Sequence, residues 1–527
     1  MKAFRSVLAL VGVCLAVVVL TMPFMVFGQA ATQELWVMQA VLETREHLRL
    51  VPRLNGMELM GQNPLQIILL SVLPASAAGG RMAMVVLGLM AAGAVYLYAH
   101  LLWGRRAGTF AALFTASSIG FLQGFSLLNT AALPCVLFLW GYLIFSLAYL
   151  KEGSRNWYLP AYACILAAML TGGLELLALF VGAVILLVLF DVSPRRFAQI
   201  RPAVGLGALI GAAFVFYLTY RIGAGSAYVA SILWPGGHLG LIKALAYASH
   251  AALPWLPLLV PAWIFTARPQ EWEDWRTLLP AKIVFILVVV LLWFSGHGIR
   301  GYALLTAPAA GLLIGYWAGN GLRATPGLEV VTRIALVCAA LLIAALPIVD
   351  LGSHPRLVPD MDAAQAIMLS AVFAAVCAML FLVKTRRHGA VITAGMLAVC
   401  LLAWQIPLSE RLEGLPEDYV EDTAQYQPLL VMEDDLVMRG ALGLAGARPI
   451  VVGRGFVPVG GDAYLAVATG GIKGLVKKLQ GRMQAAVVSR IDRGATYALI
   501  RVAPREQERP GTAPAHDPLP PADAEGI

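Results

Sequence analysis

The chain has 527 residues, of which 60% are hydrophobic and 13% charged, and its mean hydropathy is +0.78. A soluble protein is about a quarter charged, so the composition excludes a soluble globular protein. The net charge of +8 does not indicate nucleic-acid binding, because the Lys and Arg residues fall in short loops between long apolar runs, where they set membrane topology.

Apolar runs recur from Val7 to Ala403, and each is long enough to cross about 30 Å of hydrocarbon. The sequence therefore predicts an all-α polytopic membrane protein with about thirteen transmembrane helices. We place the spans at 6–28, 80–103, 108–127, 131–150, 157–172, 173–190, 203–222, 251–267, 279–295, 302–318, 329–348, 363–383 and 389–405. Residues 64–77 are apolar but short, which favours a re-entrant or interfacial helix.

The charges of the loops predict the orientation. If Lys2 and Arg5 lie in the cytoplasm and the spans alternate, every short inside loop is basic. The first apolar run is longer than the core of a signal peptide and has no clear cleavage site, so we expect a retained first span. The N-terminus is thus predicted to be cytoplasmic.

Composition changes sharply after the last predicted span, and it divides the chain into four parts. Residues 1–405 form the membrane domain, with long outer loops at 29–79 and 223–250, and residues 406–428 form an acidic, polar linker. Residues 429–504 contain the strand-like runs PLLVM, RPIVVG, AAVVSRI and TYALIRV, separated by a Gly-rich loop and a helical stretch near 471–483. We interpret them as a small α/β domain on the outer face. The tail, 505–527, is Pro-rich and predicted to be disordered.

Six short segments are informative because of their order along the chain. They are LETREHLRLVPRLNG at 42–56, NPL at 63–65, GRRAGTFAALFTAS at 104–117, MLTGG at 169–173, LPWLPLLVPA at 253–262 and WFSGHGIRGYALLTAPA at 293–309. In this order and spacing they resemble the aminoarabinose transferase family. These are glycosyltransferases of the GT-C class that use lipid-linked sugars in the bacterial inner membrane.

The resemblance implies a function and a location. The chain would lie in the bacterial inner membrane as a multi-pass protein with a periplasmic C-terminal domain. It would transfer a hexosyl or pentosyl group, with inversion, from a polyprenyl-phosphate donor to a periplasmic lipid or glycan acceptor such as lipid A. Such a reaction needs a carboxylate to activate the acceptor and basic groups for the phosphate that leaves.

Several positions that carry charge in the family are small or neutral in this chain. The family's Asp-Glu pair falls on Ala30 and Ala31, and a second Asp falls on Ala131 or Ala132. Its Glu-Lys-Pro motif becomes Gly61, Gln62 and Asn63, its Leu-Thr-Lys-Gly motif becomes Leu170, Thr171, Gly172 and Gly173, and the basic residues before the tenth span are reduced to Arg300. These losses favour an alternative: a catalytically inactive paralogue, or pseudoenzyme, that binds a polyprenyl lipid or pairs with an active transferase.

Two carboxylates are candidates for the catalytic base. Glu34 is the acid nearest to Ala30 and Ala31, although it also suits the first turn of an interfacial helix over 33–50. Glu175 lies near the outer end of the sixth span. If its carboxylate lies inside the membrane, the cost of burying it there makes a functional role the default hypothesis. If it lies at the interface, that cost is small and no functional role is implied.

Basic and polar residues in the same loops are candidates for the rest of the site. Arg300, Arg53 and Arg45 could bind the donor phosphate, since Arg is a forked donor that is always charged, although membrane anchoring or headgroup contact is an alternative. Gln62, Asn63, His297 and Tyr302 are expected to line the cavity. No cofactor is certain, but His238 with Glu34 could bind a divalent metal, unless it is a simple loop histidine.

The expected partners are a polyprenyl-phosphate lipid, a membrane lipid or glycan acceptor and, for the inactive paralogue, a membrane protein. No nucleic acid is expected. A transporter is a third reading, but it predicts two matching halves with broken helices at mid-membrane, and the sequence shows no such repeat.

Overall fold

The computed structural model describes the helical part of the chain over residues 2–27, 32–46, 51–55, 57–58, 64–72, 77–151, 155–191, 207–218, 240–267, 272–294 and 297–320. It describes strands over 429–432, 450–452, 463–468, 483–493 and 495–504, and a few isolated residues elsewhere. The predicted spans at 329–348, 363–383 and 389–405 lie outside the continuous described ranges, as does the predicted tail.

Fourteen α-helices and a two-stranded hairpin make up the described helical part. The helices are α1 Lys2–Phe27, α2 Thr32–Glu46, α3 Pro64–Ser71, α4 Ala77–Trp103, α5 Arg105–Ala116, α6 Ile119–Ser126, α7 Ala132–Leu150, α8 Tyr158–Gly172, α9 Leu174–Asp191, α10 Gly207–Leu218, α11 Leu241–Ala252, α12 Leu256–Ala267, α13 Trp272–Phe294 and α14 Thr306–Asn320. The hairpin pairs β1 Arg53–Leu54 with β2 Met57–Glu58, and a 3-10 helix, His297–Leu305, leads into α14.

Among the residues that the structure describes, six helical stretches are long and apolar enough to cross a membrane. They are Phe4–Met22, Gly79–Trp103, Ala132–Leu150, Leu174–Asp191, Trp275–Phe294 and Gly301–Gly319. The pair α11 and α12 passes the same test when taken together, as a broken span or a re-entrant loop, and α8 and α10 are shorter apolar helices. The prediction of a polytopic helical membrane protein is therefore confirmed.

Two predictions of continuous spans were wrong. The span expected at 108–127 is divided between α5 and α6 at Ser117 and Ser118. The continuous helix expected at 251–267 is instead part of a pair, a broken span or a re-entrant loop, that begins at Leu241 and bends by 97° between α11 and α12. The bend follows from Pro254, because proline has no backbone N–H and forces Leu253 into an extended conformation.

The two breaks meet and satisfy each other. The backbone N–H of Ile119 donates to the carbonyl of Leu253 at 2.8 Å, and the indole N–H of Trp255 donates to Ser117 Oγ at 3.0 Å. Gly120 lets the backbone at Ala251 approach closely. Lipid offers no hydrogen bonds to a broken helix, so this break junction supplies them from within the protein.

Close packing of α5 against α14 forms the centre of the bundle. Gly311, Gly315 and Gly319 face α5, and a Cβ at Gly315 would lie 2.5 Å from the N and Cα atoms of Ala111. This spacing of small residues is the pattern that brings helices together in membranes, where van der Waals contact replaces the hydrophobic effect.

The segment after α1 packs against the helix bundle, whereas the sequence suggested an interfacial helix. Val37, Ala40 and Val41 of α2 are buried in the core, and Glu43 accepts a hydrogen bond from the Asn55 backbone N–H at 2.6 Å. Helix α3 has 8 residues and is too short to span, as predicted for 64–77.

An ion pair closes the end of α9 that lies farthest from Glu175. Arg276 Nε of α13 lies 2.6 Å from Asp191 Oδ1, and the Tyr149 hydroxyl of α7 donates to Asp191 Oδ2 at 2.9 Å. Asp191 of α9 therefore ties α7 and α13 to its own helix.

The C-terminal strands form one five-stranded sheet. The strands are β3 Leu429–Met432, β4 Ile450–Val452, β5 Ala463–Ala468, β6 Met483–Arg493 and β7 Ala495–Pro504, in the order β4-β3-β5-β7-β6. Strands β4, β3 and β5 are parallel, and β7 is antiparallel to both neighbours. Strand β5 lies where the sequence indicated only a Gly-rich loop. Residues 471–482, most of the helix expected near 471–483, are outside the described residues, and Met483 begins β6, so the α/β character and the domain boundaries stay predictions.

Replacing Gly315 with Ala should destabilise the bundle, because the new Cβ would meet the backbone of Ala111, which cannot move aside. We expect a loss of about 2 kcal/mol, as for other overpacked cores, measured as a lower melting temperature in detergent. Gly93→Ala is the matched control, since no atom lies within 4 Å of its Cβ position. Equal melting temperatures for the two variants would contradict the packing argument.

The break junction can be tested by a double-mutant cycle. Ser117→Ala and Trp255→Phe each remove one side of the buried hydrogen bond, and the cycle cancels the loss of indole volume. We expect a coupling free energy of about 1 kcal/mol in denaturant unfolding. Additive effects would show that the bond contributes nothing to stability.

Candidate functional site

The turn between α8 and α9 positions the central carboxylate of the candidate site. Helix α8 ends at Gly172, and Gly173 follows with φ of 115°, a conformation that side chains other than glycine rarely adopt. Helix α9 then begins at Leu174, so Glu175 lies in its first turn. The second glycine of MLTGG is therefore required by the turn itself.

The Glu175 carboxylate folds back over this turn. A Cβ on Gly173 would collide with Glu175 Oε2, and the carboxylate lies against its own backbone amide. Free N–H groups and the helix dipole favour a negative charge at this position. The carboxylate is partly buried, so it is held in one place without being sealed in the core.

Tyr302 brings the 3-10 helix to the same turn. Its side chain is 7% exposed, and its hydroxyl donates to the carbonyl oxygen of Gly172. The Glu175 carboxylate and the Tyr217 hydroxyl lie close enough to Tyr302 to interact with it electrostatically. We call Glu175, Tyr217 and Tyr302 the Glu175 cluster.

The start of α7 closes one side of this cluster. Ala131, just before α7, packs so closely on Gly301 that a Cβ on Gly301 would collide with it. Pro134 of α7 packs in the same way on Gly172. Ala131 is one of the two positions proposed to replace a family Asp, and it directly adjoins the 3-10 helix.

The structure brings together two of the residues predicted for the site, Glu175 and Tyr302. His297 and Arg300 lie on the 3-10 helix, which was expected to be a loop, and their side chains are not described. Glu34 lies in α2, again without a described side chain. Arg45 is exposed at the end of α2, and Arg53 is half-buried in the hairpin. Gln62, Asn63 and His238 lie outside the described residues.

Sequence reasoning missed three polar residues in apolar surroundings. Tyr217 of α10 joins the Glu175 cluster, Arg81 of α4 is 1% exposed, and Gln66 of α3 is 3% exposed with no hydrogen-bond partner for its Nε2. Arg81 and Gln66 each interrupt an apolar run, which was the available signal. There was no such signal for Tyr217, because tyrosine is common in membrane helices.

No group of three or more His, Cys, Asp or Glu side chains suited to a metal occurs among the residues that the structure describes. Because His238 is not one of them, the metal site suggested for His238 and Glu34 stays a hypothesis.

Comparison with solved structures places this site on a known scaffold. Crystal structures of ArnT from Cupriavidus metallidurans match the chain with TM-scores of 0.70 in the apo state and 0.68 with bound undecaprenyl phosphate. Identity is 17% and 16%, over 95% and 94% of this chain and 98% and 97% of the ArnT chain. The fold is that of ArnT.

The ArnT fold confirms the GT-C resemblance drawn from the sequence at the level of architecture. No protein-family model matches the chain, and no curated protein is similar to it in sequence. At such low identity the likeness to ArnT establishes fold and leaves activity to be argued from the site.

Removing the Tyr302 hydroxyl should loosen the turn that holds Glu175. In Tyr302→Phe the Gly172 carbonyl loses its donor, so we expect a loss of about 1 kcal/mol and faster amide hydrogen exchange in peptides that cover 169–180. Tyr142→Phe, which removes a hydroxyl bonded to the Pro280 carbonyl at 3.1 Å, is the control. Exchange at 169–180 that is equal in both variants would refute the role of Tyr302.

Proposed function

We propose that the chain is a membrane glycosyltransferase that moves a sugar from a polyprenyl-phosphate donor to a lipid or glycan acceptor at the membrane surface. The observation that carries the proposal is the Glu175 carboxylate, held beside two tyrosines on the scaffold of ArnT. The resemblance to the family, with an ArnT structure that contains undecaprenyl phosphate, supports a lipid-phosphate donor.

Glu175 is the proposed general base. The acceptor hydroxyl attacks the anomeric carbon of the sugar, its proton passes to the Glu175 carboxylate, and the bond from that carbon to the phosphate oxygen breaks. Polyprenyl phosphate leaves with the electron pair of that bond. Attack from the face opposite the phosphate inverts the anomeric centre.

Other carboxylates of the described helical part are less suited to this step. Glu43 accepts hydrogen bonds from Asn55 and Gln39, and Glu46 is exposed at the end of α2. Asp191 pairs with Arg276 at the far end of α9, about 24 Å from Glu175 along the helix. Glu34 remains the alternative base, as proposed from its place after α1.

Arg300 is the proposed partner of the donor phosphate. It precedes Tyr302 by two residues in the same 3-10 helix, next to the α8–α9 turn. A guanidinium there would offset the charge that develops on the leaving phosphate. Arg53 and Arg45, on the segment after α1, are the further candidates. His297, Gln62 and Asn63 remain proposed cavity residues, and a divalent metal at His238 remains untested.

The second candidate function is a non-catalytic paralogue that binds polyprenyl lipid or partners an active transferase. The replacement of a family Asp by Ala131 or Ala132 favours it, because Ala131 packs directly against Gly301 of the 3-10 helix and brings no carboxylate to the site. In either case we place the chain in the bacterial inner membrane, with a cytoplasmic N-terminus and a periplasmic C-terminal domain.

Activity should be tested on purified protein in nanodiscs, with a panel of labelled polyprenyl-phosphate sugars and lipid A or glycan acceptors. We expect Glu175→Gln to lower transfer by at least about 100-fold, the usual contribution of a general base. Glu46→Gln, which alters an exposed acid on α2, is the control and should leave the rate unchanged.

Three outcomes separate the alternatives. Loss of transfer in Glu34→Gln but not in Glu175→Gln would assign the base to Glu34. Transfer that survives both substitutions together would refute both assignments. If no donor supports transfer while polyprenyl phosphate still binds, the paralogue is the better description.

A further inference from the structure

Tyr217 lies on the buried face of α10. Leu209 and Ala213 are 2% and 8% exposed, and Tyr217 follows them at the four-residue spacing of one helix face. Ile210, Phe214 and Leu218, on the other face, are 55%, 66% and 44% exposed, as expected for contact with lipid. The orientation of α10 therefore directs Tyr217 into the protein.

The hydroxyl of Tyr217 is buried, and among the residues that the structure describes no acceptor takes its proton. The Leu174 backbone N–H is directed at the hydroxyl oxygen, and the Glu175 carboxylate lies close enough to interact with it electrostatically. Tyr302 differs, because its hydroxyl proton is already bonded to the Gly172 carbonyl. Within the Glu175 cluster, then, the Tyr302 hydroxyl donates a hydrogen bond and the Tyr217 hydroxyl does not.

A buried hydroxyl whose proton has no acceptor is unfavourable, and the surrounding hydrocarbon offers no substitute for water. Phenylalanine would fill almost the same volume without this cost. The hydroxyl is therefore best explained by a ligand that completes its hydrogen bonding.

The surrounding charge indicates the chemistry of that ligand. The Glu175 carboxylate accepts hydrogen bonds and repels anions, which excludes the phosphate of a lipid as the group bound here. The Tyr217 hydroxyl both donates and accepts. A neutral group with adjacent hydroxyls satisfies both side chains at once, and a sugar ring is such a group.

We propose that Tyr217 and Glu175 together bind a sugar hydroxyl, with Tyr217 fixing the position of the hydroxyl against the carboxylate. The inference rests on the proposed function for the presence of a sugar, but it assigns to Tyr217 a role in substrate recognition. Donor sugars and glycan acceptors both offer such a hydroxyl, and binding measurements distinguish the two.

The test compares wild type with Tyr217→Phe in nanodiscs. The probes are bare polyprenyl phosphate, a panel of polyprenyl-phosphate hexoses, pentoses and amino sugars, and the phosphate-free glycolipid dodecyl glucoside. A donor-sugar site predicts about tenfold weaker binding of at least one sugar-bearing polyprenyl phosphate by the variant, with binding of the bare lipid unchanged. An acceptor site predicts the loss for dodecyl glucoside alone.

The melting temperature distinguishes a structural role of the Tyr217 hydroxyl from a role in binding. Tyr217→Phe should melt at the same temperature as wild type or higher, because the lost hydroxyl proton has no acceptor among the described residues. Tyr302→Phe, the matched variant, should melt lower because its hydroxyl is bonded to Gly172.

Two binding results would overturn the inference. In the first, Tyr217→Phe and wild type bind every sugar-bearing probe with equal affinity. In the second, wild type binds sugar-bearing lipids no better than the bare lipid and does not bind dodecyl glucoside. A lower melting temperature for Tyr217→Phe would also do so. Failure of wild type to bind bare polyprenyl phosphate would instead contradict the proposed donor, and the dodecyl glucoside measurement would still decide on Tyr217.

Discussion

The fold depends on satisfying backbone hydrogen bonds where helices break inside the membrane. Helices α5 and α6 separate at Ser117, helices α11 and α12 separate at Leu253, and lipid cannot bond the groups that each break exposes. The two breaks face each other: the Ile119 backbone N–H donates to the Leu253 carbonyl, and the Trp255 side chain donates to the Ser117 hydroxyl. Other backbone groups are bonded locally, Ser118 to Thr115 and Leu253 to His250, so each break is stabilised partly by its own turn and partly by the other break.

The candidate site is built outward from this junction. Leu304 of the 3-10 helix packs on Gly124 of α6, and the Thr306 hydroxyl donates to the Ala248 carbonyl of α11 at 3.2 Å. Tyr302, two residues before Leu304, then reaches Gly172 and fixes the turn that carries Glu175. The precision of a catalytic or binding group depends on such rigid support, and here that support is the central packing of the bundle.

The polar groups of the candidate site differ from those that the resemblance to the family implies. By the resemblance drawn from the sequence, Ala131 or Ala132 and Gly172 stand where the family carries charge, and Ala131 and Gly172 pack closely against Gly301 and Pro134. The Glu175 carboxylate and the Tyr217 hydroxyl lie on the neighbouring helices α9 and α10 instead. In the function proposed above, these two groups bind a neutral sugar, and the phosphate is left to basic residues nearby.

The sequence by itself determined the membrane class, the position of most described spans and four of the five described C-terminal strands, because hydropathy and alternation are properties of neighbouring residues. It missed β5, the early start of α11 and the break at Ser117, since a window of apolar residues averages over a two-residue interruption. Only the tertiary structure decided which polar residues meet. Glu175, Tyr217 and Tyr302 are separated by more than 40 residues in the chain, and no periodicity connects them. Their meeting follows from how broken helices pack to satisfy one another's backbones.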